Sequence, residues 1–335
     1  MNPEQLPCIS ILIAARNEEK TILDCLGAIE QLDYPQAKLE ILIGNDQSTD
    51  NTLLVIENYI QEKPQFQAFD ITEQVPGQQG KANVLAQLTR KAQGEIYFFT
   101  DADVVLPKNC LQTVYYFIEN EHLGVLSGFT LVRPKGFWAI LQSLEWLEAL
   151  SWIKLASDMK IPVTALGNHL WVTRNAYEAV GGYENIPFSV TEDFALFHQI
   201  VQKGFDFYHL LDAQTLAYTS AASNLQELFQ QRKRWMRGAR QLPWWLQLPL
   251  FLSALMLPLS LMGMALSIKL TICILLGIFI LQNIWLGVNI LKINKLFLVN
   301  YLFFYNVYKL FLSFGLLIYY FLPVKVRWKG RFYNT

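Results

Sequence analysis

The chain has 335 residues, enough for one large domain or two ordinary ones, and a formal charge of −1. Hydrophobic residues make up 53% of it and charged residues only 16%, a composition that excludes an ordinary soluble enzyme. No basic face stands out in the polar part, so we expect no nucleic-acid partner. The apolar excess begins after Trp244, which predicts a globular part followed by a membrane part.

The polar part alternates segments of strand and helix character, which is typical of an α/β protein with a mainly parallel, doubly wound sheet. Apolar runs of strand length predict strands at 8–14, 39–44, 66–71, 95–100 and 124–132. Periodicity and capping residues predict helices that end near residue 30 and that span 52–60, 80–92, 107–121, 176–180 and 194–203. The stretch before the first strand is short and polar, unlike a signal peptide, so we expect the globular part to be cytosolic.

Polar residues cluster where the first two predicted strands end. Ala15-Arg16-Asn17-Glu18 follows the first strand, and Asn45-Asp46-Gln47-Ser48 follows the second. Ser48 or Asp50 is expected to cap the helix at 52–60, which leaves Asp46 for another task. A glycine-bearing loop then leads to Lys81 at a helix start, where a lysine either contacts a diphosphate or is solvated.

The strand at 95–100 ends in two acidic residues, Asp101 and Asp103. Because a strand carries alternate side chains to the same side, both carboxylates are predicted to face one ion at the strand end. Mg²⁺ and Mn²⁺ are commonly held by one or two carboxylates together with substrate phosphates. The pair therefore indicates a metal-diphosphate site, with a solvated strand end or a helix cap as the alternative.

A second acidic cluster, Thr191-Glu192-Asp193, precedes the helix at 194–203. Thr191 as a cap with two acids in the first turn is what any helix start favours, and the same placement holds a carboxylate fixed for use as a base. His169 is interpreted as a hydrogen-bonded pocket or core histidine. The five cations within 230–240 are typical of the cytosolic flank of a membrane span, but that role does not explain Gln231 or Trp235.

Two to four hydrophobic segments follow the basic stretch. The segments 250–268 and 270–291 are each long enough to cross a bilayer, and 296–322 is too, although Lys309 lies near its middle. Cations before, between and after these segments cannot all face the cytosol if three cross, so we favour a re-entrant or half-helical third segment. The tryptophan-rich helix at about 136–156 is expected to lie in the membrane interface or in the core.

Together these stretches resemble family-2 glycosyltransferases of the GT-A fold with a membrane-embedded C-terminus. Six motifs of that family occur in order, covering residues 8–240: Ala15-Arg16-Asn17-Glu18, Asn45-Asp46-Gln47-Ser48-Thr49-Asp50, Gly80-Lys81-Ala82-Asn83, Asp101-Ala102-Asp103, Thr191-Glu192-Asp193 and Gln231-Arg232-Lys233-Arg234-Trp235. The resemblance predicts a catalytic domain at 1–240 and a membrane region with a short basic tail at 241–335.

The resemblance implies inverting transfer of a sugar from a nucleotide-diphosphate donor, with Mg²⁺ or Mn²⁺ bound by Asp103. It assigns donor binding to Ala15, Arg16, Glu18, Asp46, Lys81, Asp101 and Asp103. It makes Asp193 the general base that deprotonates the acceptor hydroxyl. It assigns the acceptor and the diphosphate to Asn168, Glu192, Gln231, Arg234 and Trp235. Asn45 stands where many members have aspartate, which leaves the nucleobase open, and a UDP-sugar is the expected donor.

The expected acceptor is a membrane lipid or a lipid-linked molecule, because so few membrane segments look insufficient for a polysaccharide channel. One alternative is a polymerising polysaccharide synthase that acts with a partner, and a remote one is a catalytically silent scaffold tethered to the membrane. The catalytic domain is expected on the cytosolic side of an integral membrane protein, at the inner membrane if the source is bacterial.

Overall fold

The computed structural model describes residues 6–333, which form two compact units. The first contains the chain up to Leu131 together with 152–220, and the second contains 132–151 together with the chain from Ala221 onward. Residues 221–240 thus belong to the same unit as the apolar helices that follow them. The predicted functional boundary at residue 240 stays a prediction.

Strands and helices alternate through the first unit, and helices dominate the second. The strands are β1 (Ile9–Ala15), β2 (Leu39–Asn45), β3 (Phe66–Asp70), β4 (Ile96–Asp101), β5 (Leu123–Gly128), β6 (Thr130–Val132), β7 (His169–Thr173), β8 (Asp206–Leu210), β9 (Ala217–Thr219), β10 (Val326–Trp328) and β11 (Arg331–Tyr333). The α-helices are α1 (Ile22–Glu30), α2 (Thr52–Ile60), α3 (Gly80–Thr89), α4 (Tyr115–Glu119), α5 (Phe137–Asp158), α6 (Arg174–Ala179), α7 (Gly182–Asn185), α8 (Glu192–Gln202), α9 (Leu225–Ala239), α10 (Trp244–Leu266), α11 (Ile268–Lys292) and α12 (Leu302–Phe321).

The central sheet has seven strands in the order β3-β2-β1-β4-β7-β5-β8. The four strands from β3 to β4 are parallel, and β7 is antiparallel to both of its neighbours. Strand β1 is apolar along most of its length because helices cover both faces of the sheet. The predicted α/β fold with a mainly parallel sheet is confirmed.

Two predicted elements differ from the structure. The predicted strand at 124–132 is divided into β5 and β6, which are separated by Phe129. The predicted helix at 107–121 consists of a 3₁₀ turn at Cys110–Val114 followed by the short helix α4. In both segments the apolar residues indicated regular secondary structure, but a run of apolar residues does not show where the backbone bends.

In the part of the second unit that the structure describes, three helical segments are long and apolar enough to cross a membrane: Trp244–Leu266, Ile268–Lys292 and Leu296–Phe321. The last begins with a 3₁₀ turn and continues as α12 without a break at Lys309. The interpretation as two half-helices is therefore wrong. Lys309 Nζ lies 2.6 Å from Glu148 Oε1 of α5, so the cation has an acidic partner within the bundle.

Candidate active site

The carboxyl ends of three neighbouring strands bring predicted site residues to one edge of the sheet. Ala15 at the end of β1 is in register with Asn45 of β2, and Ala14 is in register with Asp101 of β4. The backbone N–H of Asp46 donates to the carbonyl oxygen of Ala15 at 2.8 Å. This edge is where open α/β sheets bind their ligands.

Lys81 lies at the centre of this edge and joins two predicted motifs. Its ammonium is 2.5 Å from Asp101 Oδ1 and 3.0 Å from Glu192 Oε1, and it donates to the carbonyl oxygen of Gly167 at 3.3 Å. The side chain is 9% exposed, so the ion pairs form away from bulk water. The facing carboxylates raise the pKa of Lys81 despite its burial. The lysine is therefore neither solvated nor turned outward, and its contact with a diphosphate stays a prediction.

Asp193 is held at the start of α8 by two backbone amides. Its Oδ2 accepts from the N–H of Gly167 at 2.7 Å and its Oδ1 from the N–H of Phe194 at 2.8 Å. Burial, followed by the charge of neighbouring Glu192, raises the pKa of Asp193 to about 6, while Lys81 opposes that rise. A fixed carboxylate with a raised pKa is suited to accept a proton near neutral pH.

We expect Gly167→Ala to reduce catalysis by displacing Asp193. A Cβ at residue 167 would lie 2.8 Å from Asp193 Oδ2, closer than side-chain atoms normally approach. Since a misplacement of about 1 Å costs up to a hundredfold in rate, sugar transfer should fall about that far. Gly27→Ala is the control, because its Cβ would meet no atom nearer than 3.9 Å. Unchanged transfer by a folded Gly167→Ala variant would contradict this role of the glycine.

Of the two aspartates of the predicted metal site, Asp101 ends its strand as expected and Asp103 is placed differently. Strand β4 ends at Asp101, and Asp103 lies in the turn that follows, so strand alternation does not set its direction. Asp103 Oδ2 accepts from the hydroxyl of Thr219 at 2.9 Å. Within residues 6–333 no three His, Cys, Asp or Glu side chains form a group that could hold a metal ion.

The residues at this edge fit a metal that is shared with a substrate. Mg²⁺ and Mn²⁺ keep several water or phosphate ligands and need only one or two protein carboxylates. Asp101 retains a side-chain exposure of 35%, and its pairing with Lys81 uses Oδ1. The side-chain oxygen of Asn168 is buried and has no hydrogen-bond partner among the described residues, which leaves an acceptor available for a ligand.

The residues after β1 and β2 form a connected loop structure. Arg16 Nη1 donates to the backbone carbonyl of Asp46 and, at 3.1 Å, to that of Gln47. The carboxylate of Glu18 accepts from the hydroxyl of Thr21 at 2.8 Å, at the start of α1. Asn51, and not the expected Ser48 or Asp50, is at the N-cap position of α2, although Asp50 Oδ1 accepts from the N–H of Thr52 at 3.0 Å.

The structure gives a local reason for asparagine at residue 45. Its side-chain nitrogen donates to Asp70 Oδ1 at 2.7 Å, and Asn45 is buried. We expect Asn45→Asp to lower the free energy of unfolding by about 1–3 kcal/mol, because two acceptors would then face each other. Asp70→Asn in the same chain should restore the loss, as measured by thermal unfolding. Equal stability of Asn45→Asp and wild type would contradict the contribution of this bond.

The predicted acceptor motif, Gln231-Arg232-Lys233-Arg234-Trp235, lies in the second unit, on α9. The ring of Trp235 packs edge-on against that of Trp146, with ring centroids 5.1 Å apart. The guanidinium of Arg232 lies over the Trp235 ring, 4.4 Å from the ring centroid. Gln231 Oε1 accepts from Arg232 Nη1. Arg234 is half-buried on the same helix. The structure thus brings Gln231 and Trp235 together through Arg232, and their binding of an acceptor stays a prediction.

Several residues of these arrangements were not found by sequence reasoning. They include Gly167, Thr219 and the two acids of α5, Glu145 and Glu148. The charge of Glu145 and Glu148 within an otherwise tryptophan- and leucine-rich helix was the available signal. His169 is fully buried and its Nδ1 lies 3.3 Å from the carbonyl oxygen of Phe129, as expected for a core histidine.

The chain is similar in sequence to known proteins. Poly-beta-1,6-N-acetyl-D-glucosamine synthase of Staphylococcus epidermidis (strain ATCC 35984) is 27% identical over 244 residues, which are 71% of this chain and 56% of that protein. The synthase of Staphylococcus aureus (strain COL) is 28% identical over 246 residues, which are 72% of this chain and 57% of that protein. The chain therefore spans little more than half the length of these relatives.

The mannosyltransferase PcManGT from Pyrobaculum calidifontis, solved with GDP-Man and Mn²⁺, aligns with a TM-score of 0.59 at 20% identity. The alignment covers 92% of this chain and 88% of that one, and it shows a shared fold. The expectation of a GT-A glycosyltransferase with apolar C-terminal helices is confirmed. The motifs resembled family 2, whereas the family model that matches this chain describes family 21. That model matches residues 1–335, and the chain belongs to glycosyl transferase family 21.

Proposed function

We propose that this enzyme transfers a sugar from a nucleotide-diphosphate donor to a hydroxyl of a membrane lipid or lipid-linked acceptor. The observation that carries the chemistry is Asp193, a carboxylate held by the amides of Gly167 and Phe194 at the carboxyl edge of the sheet. Asp193 takes the proton from the acceptor hydroxyl, which then attacks the anomeric carbon while the nucleoside diphosphate leaves.

Donor binding is assigned to the sheet edge. Asp46 and the loop of Ala15, Arg16 and Glu18 contact the nucleoside, and Asp101 contacts the nucleotide. Asp103 would hold a Mg²⁺ or Mn²⁺ ion, which would supply positive charge against the leaving diphosphate. UDP is the favoured nucleotide. The relatives are named for N-acetylglucosamine polymers, so UDP-N-acetylglucosamine is the first donor to test.

Binding of the acceptor and the diphosphate is assigned to Asn168, Glu192, Gln231, Arg234 and Trp235, with the guanidinium of Arg234 as the natural partner of phosphate. A membrane acceptor is supported by the hydrogen bonds that join α9 to a candidate membrane span. Lys233 Nζ donates to the carbonyl oxygens of Tyr319 and Leu322 at 3.2 and 2.7 Å, at the C-terminal end of α12. The motif therefore lies on a helix bound directly to a membrane-type helix, with the catalytic domain proposed to face the cytosol.

We expect Asp103→Ala to weaken donor binding in the presence of Mn²⁺ about tenfold or more. The reason is that a shared metal loses its carboxylate ligand while the other donor contacts remain. Titration calorimetry of UDP binding, with and without EDTA, measures this effect. The variant and the wild-type protein should bind equally in EDTA, and a difference that persists there would contradict a metal role for Asp103.

The test of function is incubation of the membrane-reconstituted protein with Mg²⁺ or Mn²⁺, several UDP-sugars, GDP-mannose and a total lipid extract. Nucleotide release and mass spectrometry of the lipids are the readouts. One lipid that gains a single sugar mass supports the proposal. No release from any donor would contradict it.

A second candidate is polymerisation, because the relatives are poly-N-acetylglucosamine synthases. A ladder of products from UDP-N-acetylglucosamine in the same assay would favour it over single transfer.

A further inference from the structure

Two acidic residues one turn apart on α5, Glu145 and Glu148, both contact α12, and Glu145 also contacts α9. Glu145 accepts from Nε and Nη2 of Arg232 at 2.6 and 3.0 Å, and it also accepts from the hydroxyl of Tyr308 at 3.0 Å. Glu148 pairs with Lys309 of α12 at 2.6 Å. The two acids are chemically alike, but Glu145 contacts the helix that carries the acceptor motif.

Arg232 connects Glu145 to two residues of that motif. Its side chain is 5% exposed, and its guanidinium contacts the carboxylate of Glu145, the amide oxygen of Gln231 and the ring face of Trp235. A guanidinium is planar, and a carboxylate that accepts from two of its nitrogens fixes the orientation of that plane. The plane in turn determines where the Gln231 amide and the Trp235 ring can lie.

We infer that Glu145 is a positioning residue that orients Gln231 and Trp235 through Arg232. The inference rests on the proposed function, in which these two residues bind the acceptor. A glutamine at residue 145 leaves the buried guanidinium without a charged partner, and Arg232 is then free to release the Gln231 amide and the Trp235 ring. Acceptor binding should weaken while donor binding, which belongs to the first unit, should not.

The first test does not depend on catalysis. The protein in detergent is labelled with 5-fluorotryptophan, and the ¹⁹F resonance of Trp235 is assigned with Trp235→Phe. Glu145→Gln should move or broaden that resonance. The double variant Glu148→Gln/Lys309→Met is the matched control, because it removes the neighbouring ion pair of the same helix without leaving an unpaired charge, and it should leave the resonance in place. An unmoved resonance in Glu145→Gln, or equal movement in both variants, would overturn the inference.

The second test separates acceptor from donor effects. In Glu145→Gln the apparent KM for the acceptor should rise about tenfold, since small misplacements of binding groups carry costs of that order, while the Kd for UDP stays unchanged. A second variant, Glu145→Asp, keeps the buried charges balanced and should give a smaller shift in the same direction. Normal acceptor KM in both variants would overturn the inference. A wild-type protein without transfer activity would instead count against the proposed function, and the fluorine spectra would still decide the role of Glu145.

Discussion

Asp193→Asn should abolish sugar transfer and leave donor binding intact. The amide keeps the shape of the carboxylate, and its oxygen can still accept from the N–H of Gly167, while its NH₂ group loses only the bond to the N–H of Phe194. It cannot accept the proton of the acceptor hydroxyl, and loss of a general base costs about 10²–10⁴ in rate. Nucleotide release in the presence of acceptor measures the rate, and UDP titration measures donor binding.

Asp33→Asn is a suitable control because Asp33 is exposed and its side chain lies outside the site.

Wild-type transfer should also depend on pH in the direction set by Asp193. Because the pKa of Asp193 is raised to about 6, acidification through that value protonates the base, and the rate should fall about tenfold per further pH unit. A normal rate in Asp193→Asn, or an acidic limb near pH 4, would rule out this assignment.

Lys309→Met should strongly destabilise the second unit. The substitution leaves Glu148 as a buried carboxylate with no opposite charge beside it, and breaking a buried ion pair in this way costs about 3–5 kcal/mol. The hydroxyl of Tyr305 still donates to Glu148, which places the expected loss at the lower end. Thermal unfolding of the detergent-solubilised protein should shift downward by at least about 5 °C.

The double variant Glu148→Gln/Lys309→Met should recover most of the lost stability, because neither residue then leaves a buried charge. Lys269→Met serves as the control, since Lys269 is an exposed lysine near the start of α11. If Lys309→Met unfolded at the wild-type temperature, the ion pair would contribute nothing to stability.

Local sequence patterns predicted where candidate site residues lie within a single strand or helix. Asp101 ends an apolar strand and Asp193 begins a helix, and both placements depend on residues close by in the chain. Asp103 was misjudged because the strand stops two residues earlier than alternation required. The pattern of a strand does not include the point at which a turn interrupts it.

Contacts between distant parts of the chain did not follow from local patterns. Lys81 and Gly167 are 86 residues apart, and Glu145 and Arg232 are 87 apart. The sequence left Lys81 either as a diphosphate contact or as a solvated lysine, whereas the fold brings Asp101 and Glu192 to it. The cations of α9 looked like a membrane flank, yet Arg232 and Lys233 are buried. Such pairings depend on packing between elements.

The Glu148–Lys309 pair also bears on how the protein is made. Glu148 is synthesised 161 residues before Lys309, which at about 5–20 residues per second corresponds to about 10–30 seconds. Helix α5 is therefore already available when α12 leaves the ribosome, and a lysine that would be costly to insert alone meets its acid on arrival. We therefore expect α12 of ribosome-stalled chains to insert less efficiently into the membrane when Glu148 is replaced by glutamine.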